Sequence, residues 1–392
     1  MIPITKAIFD ESDLAIIQEP LKSGWVVQGK YVREFEKLFG EMVGCRHALA
    51  TTSCTTALHI AMAALGIGPG DEVLVPAFTW IATANCVEYV GAKPVFVDID
   101  LRTFNIDVAQ IEARITSRTK AIIPVHLFGL LADMDPIMEI ARRHNLRVVE
   151  DAACGFDSWY NGQHAGTFGE LGCFSFHPRK AITTGEGGML TTESAELASL
   201  CSSLRDHGAT RSDFQRHHQK ASFMLAEYPH LGFNFRMTDI QGALGVAQMQ
   251  KAARIMAGRR EAAARYDQLL EDIDWLQIPF RDPKYVHGYQ SYVCLFEPES
   301  ATLEAHESAF ERRNVIMTSL EELGIITRQG THAAALTRYY AEKYDITPED
   351  YPHAYVAERL TITLPLFAGM TEGESESVVS ALKSQAGASL RT

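Results

Sequence analysis

Four short stretches hold residue types that can handle a phosphate or an organic cofactor. "FSFHPRKAITTGEGGML" (174–190) sets one lysine, Lys180, between an apolar run and a glycine-rich turn. A lone lysine is ordinarily a solvated surface charge. Confined beside apolar residues it loses hydration, which favours the neutral amine that attacks a carbonyl. "VVEDAACGF" (148–156) ends two strand-like valines with Glu150 and Asp151. An acid there either caps a helix or meets a cation in a cleft. "PAFTWIATAN" (76–85) carries Trp80 just after another apolar run. Such a tryptophan is either a core residue or a flat face for an aromatic ligand. "TTSCTTALH" (51–59) places Ser53 and Thr55 where a helical pattern begins. The hydroxyls there cap the helix, or the first amides receive a phosphate.

Each signal is weak alone, but their order along the chain is specific. A phosphate cradle comes first, then an aromatic face, then a strand-end acid, then a lysine 29 residues beyond Asp151. Pyridoxal 5'-phosphate asks for these four parts: a helix N-terminus for its phosphate, a face for its ring, a carboxylate for its ring nitrogen and a lysine for its aldehyde.

The elements that must position these residues follow from periodicity. Residues 47–52 read as a strand, and 55–68 as a helix closed by glycines. Residues 71–78 and 93–100 read as strands around a helix at 82–91. Residues 120–129 and 146–153 read as strands around a helix at 133–145, and 172–177 as a further strand. This alternation predicts an α/β fold, with a large domain (1–240) built on a mostly parallel, doubly wound sheet. Ligands of such sheets bind beyond the carboxyl ends of the strands. The N-terminal segment is expected to lie near a second domain. Residues 238–273 are Ala-rich and amphipathic, and predict a long connecting helix broken near Gly258. The smaller C-terminal domain (241–392, including that helix) reads as α+β, with a strand at 291–297 and a helix at 307–324. Residues 341–355 read as an exposed irregular loop and the tail from 384 as frayed.

Composition removes several functions. The net charge of −13 disfavours nucleic acid as a partner. Seven cysteines without a CxxC pair exclude a disulfide framework and a zinc-finger spacing, and suit a reducing, cytoplasmic setting; no metal is expected. The opening "MIPITKAIFDESDLAII" meets Asp10 and Glu11 too early for a signal peptide, and no membrane span is expected. "GIGPG" (66–70) imitates part of a dinucleotide fingerprint but follows a helix, so a nicotinamide cofactor is not expected.

Longer stretches carry a resemblance. "GIGPGDEVLVPAFTWIATANCVEYVGAKPVFVDID", "VVEDAA", "GTFGELGCFSFHPRKAITTGEGGML" and "LGFNFRMTDIQGALGVAQ" are similar to the DegT/StrS-type sugar aminotransferases, a branch of the fold-type I pyridoxal-phosphate enzymes. The resemblance spans nearly the whole chain. It implies that Lys180 bonds to the cofactor aldehyde and then moves the substrate proton. It implies that Asp151 meets the ring nitrogen, that Trp80 stacks on the ring, and that Cys54 and Thr55 amides with the Ser175 hydroxyl hold the phosphate. Asn234 matches a residue that reaches the phosphate from a partner subunit, which implies a homodimer. Without that match Asn234 reads as a turn residue.

The chain departs from the family at two points. Cys54 stands where a glycine is usual, and Cys154 where glutamine or histidine meets the cofactor's phenolic oxygen. Cys154 is therefore a cofactor neighbour of altered chemistry. In the dehydratase branch a histidine replaces the lysine, and its presence here favours transamination. The implied activity moves an amino group from L-glutamate to a nucleotide-linked keto-sugar in amino-sugar biosynthesis, through the pyridoxamine form of the cofactor. Trp25, Tyr292, Arg328 and His332 lie where family members contact sugar and nucleotide, and each also reads as a surface or core residue. The rivals are an aminocyclitol or other non-nucleotide keto substrate, a non-catalytic pyridoxal-binding sensor, and a nucleotide-binding module without pyridoxal.

Overall fold

The structure is a computed structural model that describes residues 1–211 and 225–389. Its centre is a seven-stranded sheet. In chain order the strands are β1 (His47–Thr51), β2 (Glu72–Pro76), β3 (Lys93–Val97), β4 (Thr119–Ile122), β5 (Arg147–Asp151), β6 (Leu171–Ser175) and β7 (Gly188–Thr192). Their spatial order is β1-β7-β6-β5-β4-β2-β3. The run from β3 to β6 is parallel, and β7 lies antiparallel to both β6 and β1. Every residue of β2 and of β7 is buried, as expected of strands covered on both faces. Two apolar layers supply that cover. One holds Ile60, Val73, Val75 and Leu171, and the other Phe35, Phe39, Leu74 and Val148.

The helix Asp239–Leu269 leads into a three-stranded antiparallel sheet of Leu276–Gln277, Tyr292–Phe296 and Thr361–Leu364. The helices His306–Glu322 and Glu372–Ser389 pack on each other, and the second also packs on the helix Asp239–Leu269. The N-terminus joins this region, since Ile2 bridges Ile325.

Four expectations differ in detail. The helix 239–269 is unbroken at Gly258. A Cβ at Gly258 would lie 3.3 Å from Ala368, so the glycine lets another segment approach closely. The segment 341–355 is not irregular, because it contains the end of helix Arg338–Tyr344 and the start of helix Pro352–Leu360. Tyr344 within it donates to Glu88 at 2.6 Å, and Tyr340 just before it donates to Asn85 at 2.7 Å, so both are anchors. The strands expected at 120–129 and 146–153 stop at Ile122 and Asp151, after which the chain turns to form the site. The tail is helical to Ser389, and residues 390–392 lie outside the described residues.

The segment 332–360 is stitched to the large sheet. His332–Ala333 pairs with Phe78–Thr79. The buried Asp98 carboxylate accepts the His353 and Ala354 amides and so caps the helix Pro352–Leu360 from the large domain.

Candidate active site

Adjacent strands bring the candidate residues to one edge of the sheet. Asp151 ends β5 and stands opposite Cys173 of β6. Ser175 ends β6 and stands opposite Gly188, which begins β7. Gly188 in turn faces Thr51, the end of β1, where the phosphate-type turn begins. Acid, hydroxyl and turn are therefore neighbours by register.

Side-chain alternation along β5 then separates the two acids. Glu150 accepts the backbone amides of Gly166, Phe168 and Gly169 at 2.7–2.9 Å and pairs with buried His126 at 2.9 Å. The Ala132 amide donates to His126 Nδ1 at 3.3 Å, which puts the ring proton on Nε2, facing Glu150. Glu150 is thus a structural acid that ties down the 166–169 turn. Asp151 points the other way. Its Oδ2 receives the Thr83 hydroxyl at 2.7 Å, and its Oδ1 receives the Ala153 amide at 3.1 Å and lies 3.9 Å from the Cys54 thiol. Burial pushes the Asp151 carboxyl above its ordinary range, against the Thr83 and Ala153 hydrogen bonds and the Lys180 charge.

Lys180 lies in the turn after β6, half-buried, with Nζ 3.2 Å from the Cys154 sulfur. His177 shapes that turn. Its carbonyl accepts the Lys180 amide at 2.8 Å, its Nδ1 accepts the Arg179 amide at 3.2 Å, and its own amide donates to Ser175 Oγ at 3.4 Å. Burial holds the His177 imidazole below its usual pKa, which suits an accepting ring nitrogen.

The helix Cys54–Ala64 is capped by Ser53, whose hydroxyl accepts the Thr56 amide in a capping box. The amides of Cys54 and Thr55 precede the first internal hydrogen bond and face outward from the helix start. A Cβ at Gly188 would lie 2.4 Å from the Ser53 carbonyl carbon and 2.6 Å from the Cys54 nitrogen. Only glycine lets β7 seat this turn so closely. These groups fit pyridoxal 5'-phosphate: a buried acid with open lone pairs, an amine nearby, and a helix start at the same edge. Cys54, in place of glycine, is accommodated because its side chain turns inward against Asp151.

The remaining residues divide. Trp80 is 61% exposed, which is unusual for so large a ring at a strand end. The pairing of His332 with Thr79 brings the His332 ring to 5.7 Å from Trp80, and Glu358 lies 3.3 Å from His332 Nδ1. Trp25 is half-exposed and donates to the Gln28 carbonyl, in a turn held by Asp239. Arg328 is exposed and donates to the Thr327 carbonyl. Asn234 is exposed, in a backbone bridge with Asp206. Tyr292 corrects its expectation as a substrate contact. It is fully buried in the small sheet, and its hydroxyl donates to Asp267 at 2.8 Å. Thr83 was missed by sequence reasoning, although its i,i+4 spacing from Thr79 around Trp80 was visible. All seven cysteines are free. Among the described residues no helix is long and apolar enough to cross a membrane.

The comparisons agree with this geometry. The DegT/DnrJ/EryC1/StrS aminotransferase family model matches residues 7–383. GDP-perosamine synthase of Caulobacter vibrioides is 39% identical over 97% of this chain and 97% of its own. The Bacillus subtilis spore coat polysaccharide biosynthesis protein SpsC is 35% identical over 97% of this chain and 96% of its own. Among solved structures, Helicobacter pylori PseC, an aminotransferase involved in the biosynthesis of pseudoaminic acid, superposes with a TM-score of 0.89 at 27% identity, covering 99% of each chain. The chain belongs to the DegT/DnrJ/EryC1/StrS aminotransferase family.

Proposed function

We propose that this family member is a cytoplasmic homodimer that uses pyridoxal 5'-phosphate to move an amino group from L-glutamate to a nucleotide-linked keto-sugar. The observation that carries the reading is the convergence of Lys180, buried Asp151 and the Ser53–Thr55 helix start on one sheet edge. Relatives named for perosamine and pseudoaminic acid synthesis support a sugar substrate.

When bound, pyridoxal phosphate supplies an aldehyde and a ring that withdraws electrons from the substrate carbon. Lys180 would hold the aldehyde, and its amine would take and return the proton at the substrate carbon. Asp151 would pair with the ring nitrogen and keep a proton on it. Trp80 offers its exposed face to the ring. The Cys54 and Thr55 amides, with the Ser175 hydroxyl, bind the phosphate. Cys154, 3.2 Å from Lys180 Nζ, would be the neighbour of the phenolic oxygen. Trp25, Arg328 and His332 orient the sugar nucleotide. Asn234 reaches the phosphate from a second subunit, and exposed Leu231 and Tyr228 near it in the chain support a covered surface there.

The test is a panel of nucleotide-linked keto-sugars and keto-cyclitols with glutamate as donor. Turnover on a nucleotide-linked keto-sugar is expected. Turnover confined to keto-cyclitols would replace the substrate class, and a colourless protein that never binds the cofactor would overturn the reading.

A further inference from the structure

Asp151 is held by a residue outside the recognised set. Thr83 is completely buried in the helix Ala82–Tyr89. Its Oγ1 lies 2.7 Å from Asp151 Oδ2, 3.0 Å from Thr79 Oγ1 and 3.1 Å from the Trp80 carbonyl. One hydroxyl has one proton, so it cannot donate to both the carbonyl and the carboxylate. An ionised carboxylate only accepts. Thr83 then donates to Asp151, and the Thr79 hydroxyl donates to Thr83. If the carboxyl carries a proton, it donates to Thr83, whose own proton turns to the Trp80 carbonyl. The hydroxyl therefore satisfies the buried acid in either charge state without moving a heavy atom.

The geometry also fixes direction. The Ala153 amide holds Oδ1 and Thr83 holds Oδ2, so the carboxyl plane cannot rotate freely about its bond to Cβ. Thr79 sits in the short strand that pairs with His332–Ala333, and Trp80 follows it directly. The acid and the exposed ring are thus referred to one piece of backbone.

We propose that Thr83 is the positioning residue of Asp151, setting the carboxyl plane that meets the cofactor's ring nitrogen. This rests on the pyridoxal-phosphate reading above. Thr83→Val keeps the shape and removes the hydroxyl, whereas Thr83→Ser keeps the hydroxyl and removes a methyl group.

The experiment titrates cofactor-free wild type, Thr83→Val, Thr83→Ser and Asp151→Asn with pyridoxal 5'-phosphate. It reads the dissociation constant by fluorescence quenching, the absorbance maximum of the bound cofactor, and the melting temperature. Thr83→Val is expected to weaken binding about 10- to 100-fold, the effect of losing one hydrogen bond to a charged group. It should also shift the absorbance maximum, while Thr83→Ser stays within about threefold of wild type. Wild-type binding by Thr83→Val overturns the proposal. So does equal weakening by Thr83→Ser with an unchanged melting temperature, since the methyl group would then be what matters. Unchanged binding and absorbance in Asp151→Asn would instead remove the acid from the ring nitrogen, so the underlying reading would fail before the role of Thr83.

Discussion

Replacing Asp151 by asparagine should move two quantities in opposite directions. In the cofactor-free protein the acid is fully buried, and burial raises its pKa above the ordinary 3.8. The sign follows from linkage. As pH rises past the ordinary value, the unfolded chain releases its proton while the folded chain keeps it. The folded state then binds more protons, so stability falls with rising pH, by up to about 1.4 kcal/mol per unit. The fall ends at the folded-state pKa, above which the whole penalty is in place. Asparagine does not titrate, and it keeps both contacts. Its oxygen accepts the Ala153 amide, and its NH2 group donates to Thr83, which turns to the Trp80 carbonyl. The variant without cofactor should therefore gain stability over wild type, by an amount that grows as pH climbs from about 4. Urea unfolding of both proteins at a series of pH values reads this difference. The buried acids Asp98, Asp239 and Asp267, also raised by burial, are common to both proteins and cancel. With cofactor the direction reverses, because the amide cannot hold a charged ring nitrogen, and the affinity should fall by about 1.5–3 kcal/mol. A stability difference that stays flat with pH, or falls, would refute the account of Asp151 as a strained buried acid.

The other predictions use the same edge of the sheet. Lys180→Ala should abolish turnover and the borohydride-trapped label on the chain, and retention of full activity would remove Lys180 from the chemistry. Gly188→Ala should force the Ser53–Cys54 turn away from β7, costing about 1–3 kcal/mol of stability and weakening cofactor binding, as read by chemical unfolding and titration. A maleimide at pH 8 should label Cys154 before the others. Five of the cysteines are buried, and burial lifts the half-buried Cys45 to about 11. Bound pyridoxal phosphate should block that labelling, as mass spectrometry would show.

The large domain was legible because its signals are local. Short apolar runs separated by helical patterns predict a parallel sheet, and the strand-end rule then points to the Glu150–Asp151 pair, Trp80 and Lys180, with the choice of Asp151 implied by the family resemblance. The two acids at 150 and 151 show where that reading thins. Both stand at the end of β5, and only the direction of the pleat, set by register with β6, sends Asp151 to the site and Glu150 to the 166–169 turn. Thr83 is harder still, because its i,i+4 spacing from Thr79 gains meaning only once Asp151 is known to be its partner.

The misreadings of the C-terminal half share a cause. Gly258 reads as a break because glycine weakens a helix interior. Inside a 31-residue helix clamped at both ends, that local cost of about 1 kcal/mol is outweighed by the close packing that the missing Cβ permits against Ala368. The tyrosine-rich stretch 341–355 reads as an exposed loop until Glu88 and Asn85, some 255 residues away in sequence, take the hydroxyls of Tyr344 and the adjoining Tyr340. Tyr292 lies where family members contact sugar and nucleotide, yet Asp267 on the long helix claims its hydroxyl. These are tertiary facts with no local trace. They also bear on the site, since His332 reaches Trp80 through its pairing with Thr79, in a segment that Asp98, Asn85 and Glu88 fasten to the large domain. The contact of His332 with Trp80 is therefore built by long-range pairing, and it is the part of this edge least open to reading from the sequence alone.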